Sequence, residues 1–353
     1  VDAAQRNRTQ FCGRPGRSAL AAPVLALAAA ALSHGGLGPA LARAQEPGST
    51  LDPAGPPARA IADLFNIVLV MSAGVALLVW GLLFYCLWRF RARPGAPIPR
   101  QVQGNLRLEI GWTLAPVVVL AVLAALELPI IFGAAAPRPN ALTVVATGYR
   151  FWWGFEYPDQ GIVTANELHI PVGVPVRVQL RSEDVIHALW IPRLNGKIDM
   201  VPGQTNELWL HADAPDTYLG QCSELCGIQH AGMLLRVIAE PQAQFDAWAA
   251  RERAPAAAPA SDLARQGQQV FQTYACGDCH GIQGTAAVAR VGPNLTHVAS
   301  RQTLAAGVIP NTPEDLRRWL DNPQVVKPGA FMPTFRLSDA ELTALTAYLE
   351  ELR

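Results

Sequence analysis

Charge is scarce in this 353-residue chain: Asp, Glu, Lys and Arg together make up 16% of it, and the formal charges cancel at pH 7. A chain without net charge carries no electrostatic footprint for a polyanion, which excludes a general affinity for nucleic acid. Histidine is also sparse, at seven residues, so a metal centre built from a large all-histidine set has no material here. What replaces charge is hydrophobicity, at half of all residues. Most of that excess lies before residue 135, where Ala, Leu and Val dominate, and this marks the front of the chain as a membrane section.

Within that section, residues 1–44 carry Arg6, Arg8, Arg14 and Arg17, then an apolar run from Ser18 to Leu32, then Ala42-Arg43-Ala44. A basic flank, a short apolar core and an Ala-x-Ala site predict a secretory signal peptide over 1–44. The apolar run falls short of the roughly 20 residues a spanning helix needs. Leu64 to Trp88 contains no charge, and Ile110 to Phe132 is interrupted only by Glu127. These predict a transmembrane hairpin over 45–135, with helices at about 61–88 and 108–132. The loop between them holds Arg89, Arg91, Arg93, Arg100 and Arg107, which the positive-inside rule puts in the cytoplasm. Everything after Phe132 is then expected outside, with Tyr85, Trp88 and Trp112 as interfacial anchors and Glu127 near the outer surface.

After Pro137 the texture changes to short stretches rich in Val, Thr, Trp and Tyr separated by Pro and Gly turns, the pattern of a β-sandwich. Phe151, Trp153, Phe155 and Tyr157 alternate as one packing face of a strand. His187 falls in a strand expected at His187–Ile191. A loop before the last expected strand reads Cys222-Ser-Glu-Leu-Cys226-Gly-Ile-Gln-His230-Ala-Gly-Met233. Thiolate and thioether sulfur with imidazole select copper; zinc has little use for the methionine. A disulfide between Cys222 and Cys226 is permitted in an exported domain, but it accounts for two of these residues and leaves His187, His230 and Met233 unexplained. A thioredoxin-like copper chaperone also uses Cys-x-x-x-Cys, with its histidine downstream and a βαβ rhythm that is absent here. His169 and His211 stand outside the cluster as ordinary strand histidines, and Asp184 is a candidate partner that orients His187.

Residues 251–261 are Ala- and Pro-rich, a linker by composition. Beyond them helical periodicity returns at Asp262–Tyr274, Pro313–Leu320 and Ser338–Leu352. Between these lies Cys276-Gly-Asp-Cys279-His280, the attachment pattern of a covalent c-type haem. Met332, in Gly-Ala-Phe-Met-Pro, supplies a second axial ligand, and His/Met ligation is the cytochrome c pattern. His297 is expected at the surface.

The two-helix anchor followed by His187 and Cys222-x3-Cys226-x3-His230-x2-Met233 resembles subunit II of the haem-copper cytochrome c oxidases over about residues 60 to 250. With the fused haem module, the whole chain resembles the caa-type form. The resemblance implies a multidomain membrane protein: the transmembrane hairpin, an all-β cupredoxin sandwich at 138–250 carrying binuclear copper A, and an all-α class I cytochrome c domain at 262–353. In that family both thiolates, here Cys222 and Cys226, bridge two coppers, each copper taking one histidine, His187 or His230. Met233 and the carbonyl of Glu224 complete the two spheres. The Glu224 carboxylate would meet a magnesium ion at the contact with subunit I, and Glu109 would stand at a proton-channel entrance of that subunit. Pro293 would offer its carbonyl to His280, while Gly267, Phe271 and Tyr348 would pack the first haem-module helix on the last.

Electrons are then expected from an external cytochrome c or the cytochrome bc complex, through the haem on Cys276, Cys279, His280 and Met332, to copper A and on to haem a of subunit I. Oxygen reduction and proton pumping take place there, with subunit III as a further partner and the bacterial inner membrane as the location. Many relatives place Trp, the entry point for electrons from soluble cytochrome c, where this chain has Phe151. The alternative is a membrane-anchored haem and copper electron carrier without an oxidase core. A nitrous oxide reductase copper domain lacks the anchor and needs a further seven-histidine site; a quinol oxidase subunit II lacks the copper ligands.

Overall fold

The computed structural model describes residues 48–353 apart from positions 96, 99 and 137; the expected signal peptide lies outside the described residues. Helix α1 (Pro56–Arg89) and helix α2 (Leu106–Ala135) are the two helices among them long and apolar enough to cross a membrane, and no residue of the most apolar stretch of either is buried within the chain. At 1.5 Å per residue α1 is about 51 Å long, longer than the bilayer core. The surplus is at its start, five residues before the expected onset. Pro56 and Pro57 fit the first turn, where no N–H is needed, and Ala58 and Ala62 are buried. Around that turn, Ala54 N–H donates to Arg193 O at 2.7 Å, Asp213 N–H donates to Ala54 O at 3.0 Å, and Arg59 pairs with Asp213. The membrane helix is thereby rooted in the domain above it. Asn105 caps α2 by accepting from Arg107 N–H and Leu108 N–H, and Glu109 in the first turn complements the helix dipole.

The next domain is a sandwich of two five-stranded sheets, β3-β2-β1-β5-β8 and β4-β10-β9-β6-β7. In chain order the strands are β1 (Leu142–Tyr149), β2 (Trp152–Tyr157), β3 (Ile162–Ala165), β4 (Glu167–Pro171), β5 (Val176–Ser182), β6 (His187–Trp190), β7 (Ile198–Met200), β8 (Asn206–Leu210), β9 (Asp216–Cys222) and β10 (Leu234–Glu240). The pairs β1/β5 and β4/β10 are parallel and the others antiparallel. Trp153, Phe155 and Tyr157 are fully buried, while Trp152, Gly154 and Glu156 between them face outward, as period-two alternation requires. Helix α3 (Gln242–Glu252) closes one end with Phe245, Trp248 and Ala249, and Trp248 stacks on His169 at 4.2 Å. It runs two residues into the compositional linker.

The last module contains α4 (Asp262–Thr273), a small hairpin of β11 (Thr303–Leu304) and β12 (Ile309–Pro310), α5 (Pro313–Asp321), α6 (Pro323–Val326) and α7 (Asp339–Glu350). Ser261, Thr312 and Ser338 cap α4, α5 and α7, Ser338 in a capping box with Glu341. Helices α4 and α7 cross at Gly267, where a Cβ would lie 2.0 Å from the Ala344 carbonyl oxygen; beside it Phe271 meets Tyr348 edge-on at 5.8 Å. Gly267→Ala therefore forces the helices apart. Overpacking of this kind is expected to cost about 3 kcal/mol and lower the module's melting temperature by about 10–20 °C, read by circular dichroism. His297 departs from its expected surface position. It is buried, at 4% exposure, and its Nε2 lies 3.0 Å from the Ala254 carbonyl, so it fastens the linker to the last module.

Candidate metal and haem centres

The cysteine loop leaves the sandwich where β9 ends at Cys222 and rejoins it at β10. Its neck is closed by Cys222 N–H donating to Met233 O at 2.9 Å and Ser223 N–H donating to Ala188 O at 3.0 Å. Because β9 pairs with β6, Leu189 lies opposite Cys222, and this register brings His187 to the cluster from 35 residues away. Cys222 and Cys226 are free thiols, their sulfurs 3.8 Å apart. His187 Nδ1 lies 3.9 Å from Cys222 Sγ and His230 Nδ1 lies 3.8 Å from Cys226 Sγ. Met233 Sδ is 3.9 Å from Cys226 Sγ, and the Glu224 carbonyl is 3.2 Å from Cys222 Sγ. The donors thus divide into two halves, each with a thiol and an imidazole.

This set fits a bound soft metal. Two sulfurs on one tetrahedral metal at about 2.3 Å each lie roughly 3.8 Å apart, which is the observed separation. Cys222, Cys226, Met233 and His187 are all buried, so water is kept from the sulfurs. A hydrogen bond from the Cys226 thiol holds the Cys222 pKa far down, to about 3, and the same shared proton pushes Cys226 up. A metal ion would displace that proton.

Asp184 sets the orientation of His187. Its carboxylate accepts from His187 Nε2 at 2.8 Å, from Val185 N–H at 2.7 Å and from Arg150 N–H at 2.8 Å. Burial works against the charged carboxylate, yet these donors hold its pKa below the usual range. With Nε2–H committed to Asp184, the Nδ1 lone pair points toward Cys222. No group of three or more metal-capable side chains among the described residues includes the Glu224 carboxylate.

In the haem module, Cys276 starts a short 3-10 turn, and His280 N–H donates to Cys276 O at 3.0 Å. His280 Nδ1 bonds the Pro293 carbonyl at 2.8 Å, which leaves Nε2 free for iron. Burial lowers the His280 pKa, keeping the ring neutral as a ligand must be. Met332 packs against the module's core on a segment that sequence reasoning left unsupported. Gln324 in α6 donates to the carbonyls of Ala330 (2.8 Å) and Met332 (3.2 Å) and accepts from Gly329 N–H at 2.8 Å. Two free thiols, an imidazole with one nitrogen held and a thioether are a donor set that fits a covalent haem.

The segment that leads to Met332 lies against the cysteine loop. Phe151, only 6% exposed, meets the ring of Phe331 at 6.0 Å, and Arg150 lies over Phe331 at 4.9 Å. On its other side the Phe151 ring lies against Gly227, whose φ of +132° and 3.0 Å clearance from that ring leave no place for a side chain. Gln229 Nε2 donates to the Pro328 carbonyl at 2.6 Å. Met332 therefore follows a residue that touches Phe151, and Phe151 touches the residue after Cys226.

Comparison with known proteins follows the same divisions. Residues 48–130 match the family model of the cytochrome c oxidase subunit II transmembrane domain, 161–240 that of its periplasmic domain, and 264–353 that of cytochrome c. The chain is 39% identical over 313 residues to cytochrome c oxidase subunit 2 of Alkalihalophilus pseudofirmus, covering 86% of this chain and 91% of that protein. It is 35% identical over 327 residues to cytochrome c oxidase subunit 2 of Bacillus subtilis, covering 86% and 92%. Among solved structures, the periplasmic domain of subunit II of cytochrome oxidase from Bradyrhizobium japonicum is 34% identical over 33% of this chain and 96% of that one, with a TM-score of 0.32.

Proposed function

The chain belongs to the cytochrome c oxidase subunit II family, and from that membership we propose the roles of its individual residues. It is an electron-transfer subunit of a terminal oxidase, part of an oxidoreductase complex with subunit I, held to the membrane by α1 and α2, with copper A and haem c as its cofactors. We assign Cys222 and Cys226 as the thiolates shared by two coppers, and His187 and His230 as one imidazole for each. Met233 and the Glu224 carbonyl complete the set. Cys276 and Cys279 would carry the haem, and His280 and Met332 would ligate its iron. Bound there, the two groups supply one-electron redox chemistry between an external donor, cytochrome c or the cytochrome bc complex, and haem a of subunit I.

The observation that carries this assignment is the division of the donors into two thiol–imidazole halves with 3.8–3.9 Å spacings. A ligand set fixed by a sandwich neck and by Asp184 moves little between redox states, and little motion means fast transfer. The Glu224 carboxylate is proposed to meet magnesium at the subunit I contact, where the partner supplies the remaining ligands, and Glu109 to stand at the mouth of a proton channel there. Subunit III completes the assembly. The chain is proposed to sit in a bacterial inner membrane, its two redox domains outside the cytoplasm and its modules divided near 138, 251 and 262.

Metal analysis of the purified chain is expected to give about two coppers and one iron, as the two ligand sets imply. A zinc-loaded chain would refute the copper assignment. Isolation in mild detergent is expected to bring a haem a partner with it; its absence would leave a membrane-anchored carrier instead.

A further inference from the structure

Lys327 is one of only two lysines in the chain, and it is buried, at 3% exposure. Its Nζ donates to three main-chain carbonyls, Phe151 at 2.7 Å, Gly232 at 2.8 Å and Ala305 at 2.9 Å. An ammonium group has three N–H donors, so its capacity is filled by backbone alone. Two of the acceptors belong to the copper domain and flank its loop, for Gly232 precedes Met233 and Phe151 covers Gly227. The third belongs to the haem module.

Glu167 makes the opposite gesture. It sits on β4 of the copper domain, 2% exposed, and its carboxylate accepts from Gln302 N–H at 2.8 Å, Thr303 N–H at 2.9 Å and the Thr303 hydroxyl at 3.2 Å, all in the haem module. Between these two contacts Leu234 N–H donates to Ala306 O at 3.1 Å. Burying a charge is costly, and it is sustained where hydrogen bonds or an opposite charge compensate it; Glu167 has the Arg301 guanidinium in its electrostatic neighbourhood besides its backbone donors. Each module sends one such side chain into the other's backbone, Lys327 keeping one of its three bonds, to Ala305, for its own module. The Ala- and Pro-rich linker could otherwise let the haem module swing.

We propose that Lys327 and Glu167 are positioning residues for the internal electron transfer, a reciprocal pair of clamps that holds the haem module fixed on the copper loop. The proposal rests on the electron-transfer assignment above. The clamps keep Phe331, and with it Met332, against Phe151 and the loop at Cys226. With Phe151 covered by the chain's own Phe331, an outside donor does not reach the Phe151 ring directly.

The test uses Lys327→Met and Glu167→Gln in the full chain. Hydrogen exchange of the amides of Thr303 and Leu234, which bond across the two modules, is expected to quicken about tenfold or more as the docked state opens, while the amides from Leu235 to Ala239 of β10 and those of α7 keep their rates. In the loaded complex, flash-initiated transfer from haem to copper is expected to slow by about tenfold or more, as position-sensitive steps do. Both optical spectra and the uptake of electrons by the haem should stay as in the wild type, which a general loss of folding would not allow. If either the amide exchange or the transfer rate remains at the wild-type value in both variants, the clamp is overturned. A chain that takes up neither copper nor haem would instead defeat the electron-transfer assignment, and the exchange measurement would still decide the docking.

Discussion

Cys226→Ser is expected to empty the copper centre while leaving the haem attached. Copper per chain should fall from two to none, and electron flow from the haem to subunit I should stop. A hydroxyl is a hard, protonated oxygen where the site offers soft thiolate. Cys226 also lies 3.8 Å from Cys222, 3.8 Å from His230 and 3.9 Å from Met233, so one substitution disturbs both halves of the donor set. Loss of an outer hydrogen-bond partner of a metal ligand costs roughly 10–100-fold in affinity, so loss of a shared thiolate should cost more than about a thousandfold. Copper-to-iron ratio and oxygen consumption with reduced cytochrome c measure both effects. If Cys226→Ser retained two coppers, the shared-thiolate assignment would fail.

The ligand types of this site were legible in the sequence because metal chemistry restricts them and because nearly all fall in one twelve-residue loop. The strand that carries His187 was legible too, although only the β6/β9 register explains why it reaches Cys222. Strand β3 was not, for a physical reason. Ile162–Ala165 is only four residues long and ends at Asn166, which at φ 64° turns the chain from one sheet to the other while accepting Trp153 N–H. Helix α3 carried a signal, Phe245, Trp248 and Ala249 at i, i+3, i+4 spacing, close against a compositional linker that masked it. Lys327 and Glu167 could not have been found. A basic residue before Pro-Gly reads as solvated loop, and a strand glutamate reads as an outward face, until a second module covers both. His297 failed the same way, since burial under a linker is decided by tertiary packing and not by its neighbours in sequence.

Met332→Ala should separate the two stations of the chain. The haem would keep its covalent attachment and His280, whose ring is fixed by the Pro293 carbonyl, and lose the sulfur that raises its potential. For a one-electron couple about 59 mV is a factor of ten, so a fall of about 120 mV makes uptake from an external cytochrome c roughly a hundredfold less favourable. Steady-state oxygen consumption is expected to drop by about that factor. Transfer onward is expected to persist, because a lower haem potential only steepens the step to copper. The backbone that carries Phe331 is held by Gln324 at Ala330 and Met332, so removing the thioether leaves the contact with Phe151 in place. Redox titration of the haem, copper content and the rate after photochemical injection into the haem separate these effects. Unchanged turnover would mean that electrons bypass the haem and enter at the copper loop, against the covering of Phe151 by Phe331. Loss of copper would mean that the two modules assemble their metals together, in which case the clamps at Lys327 and Glu167 would bear on cofactor assembly as well as on transfer.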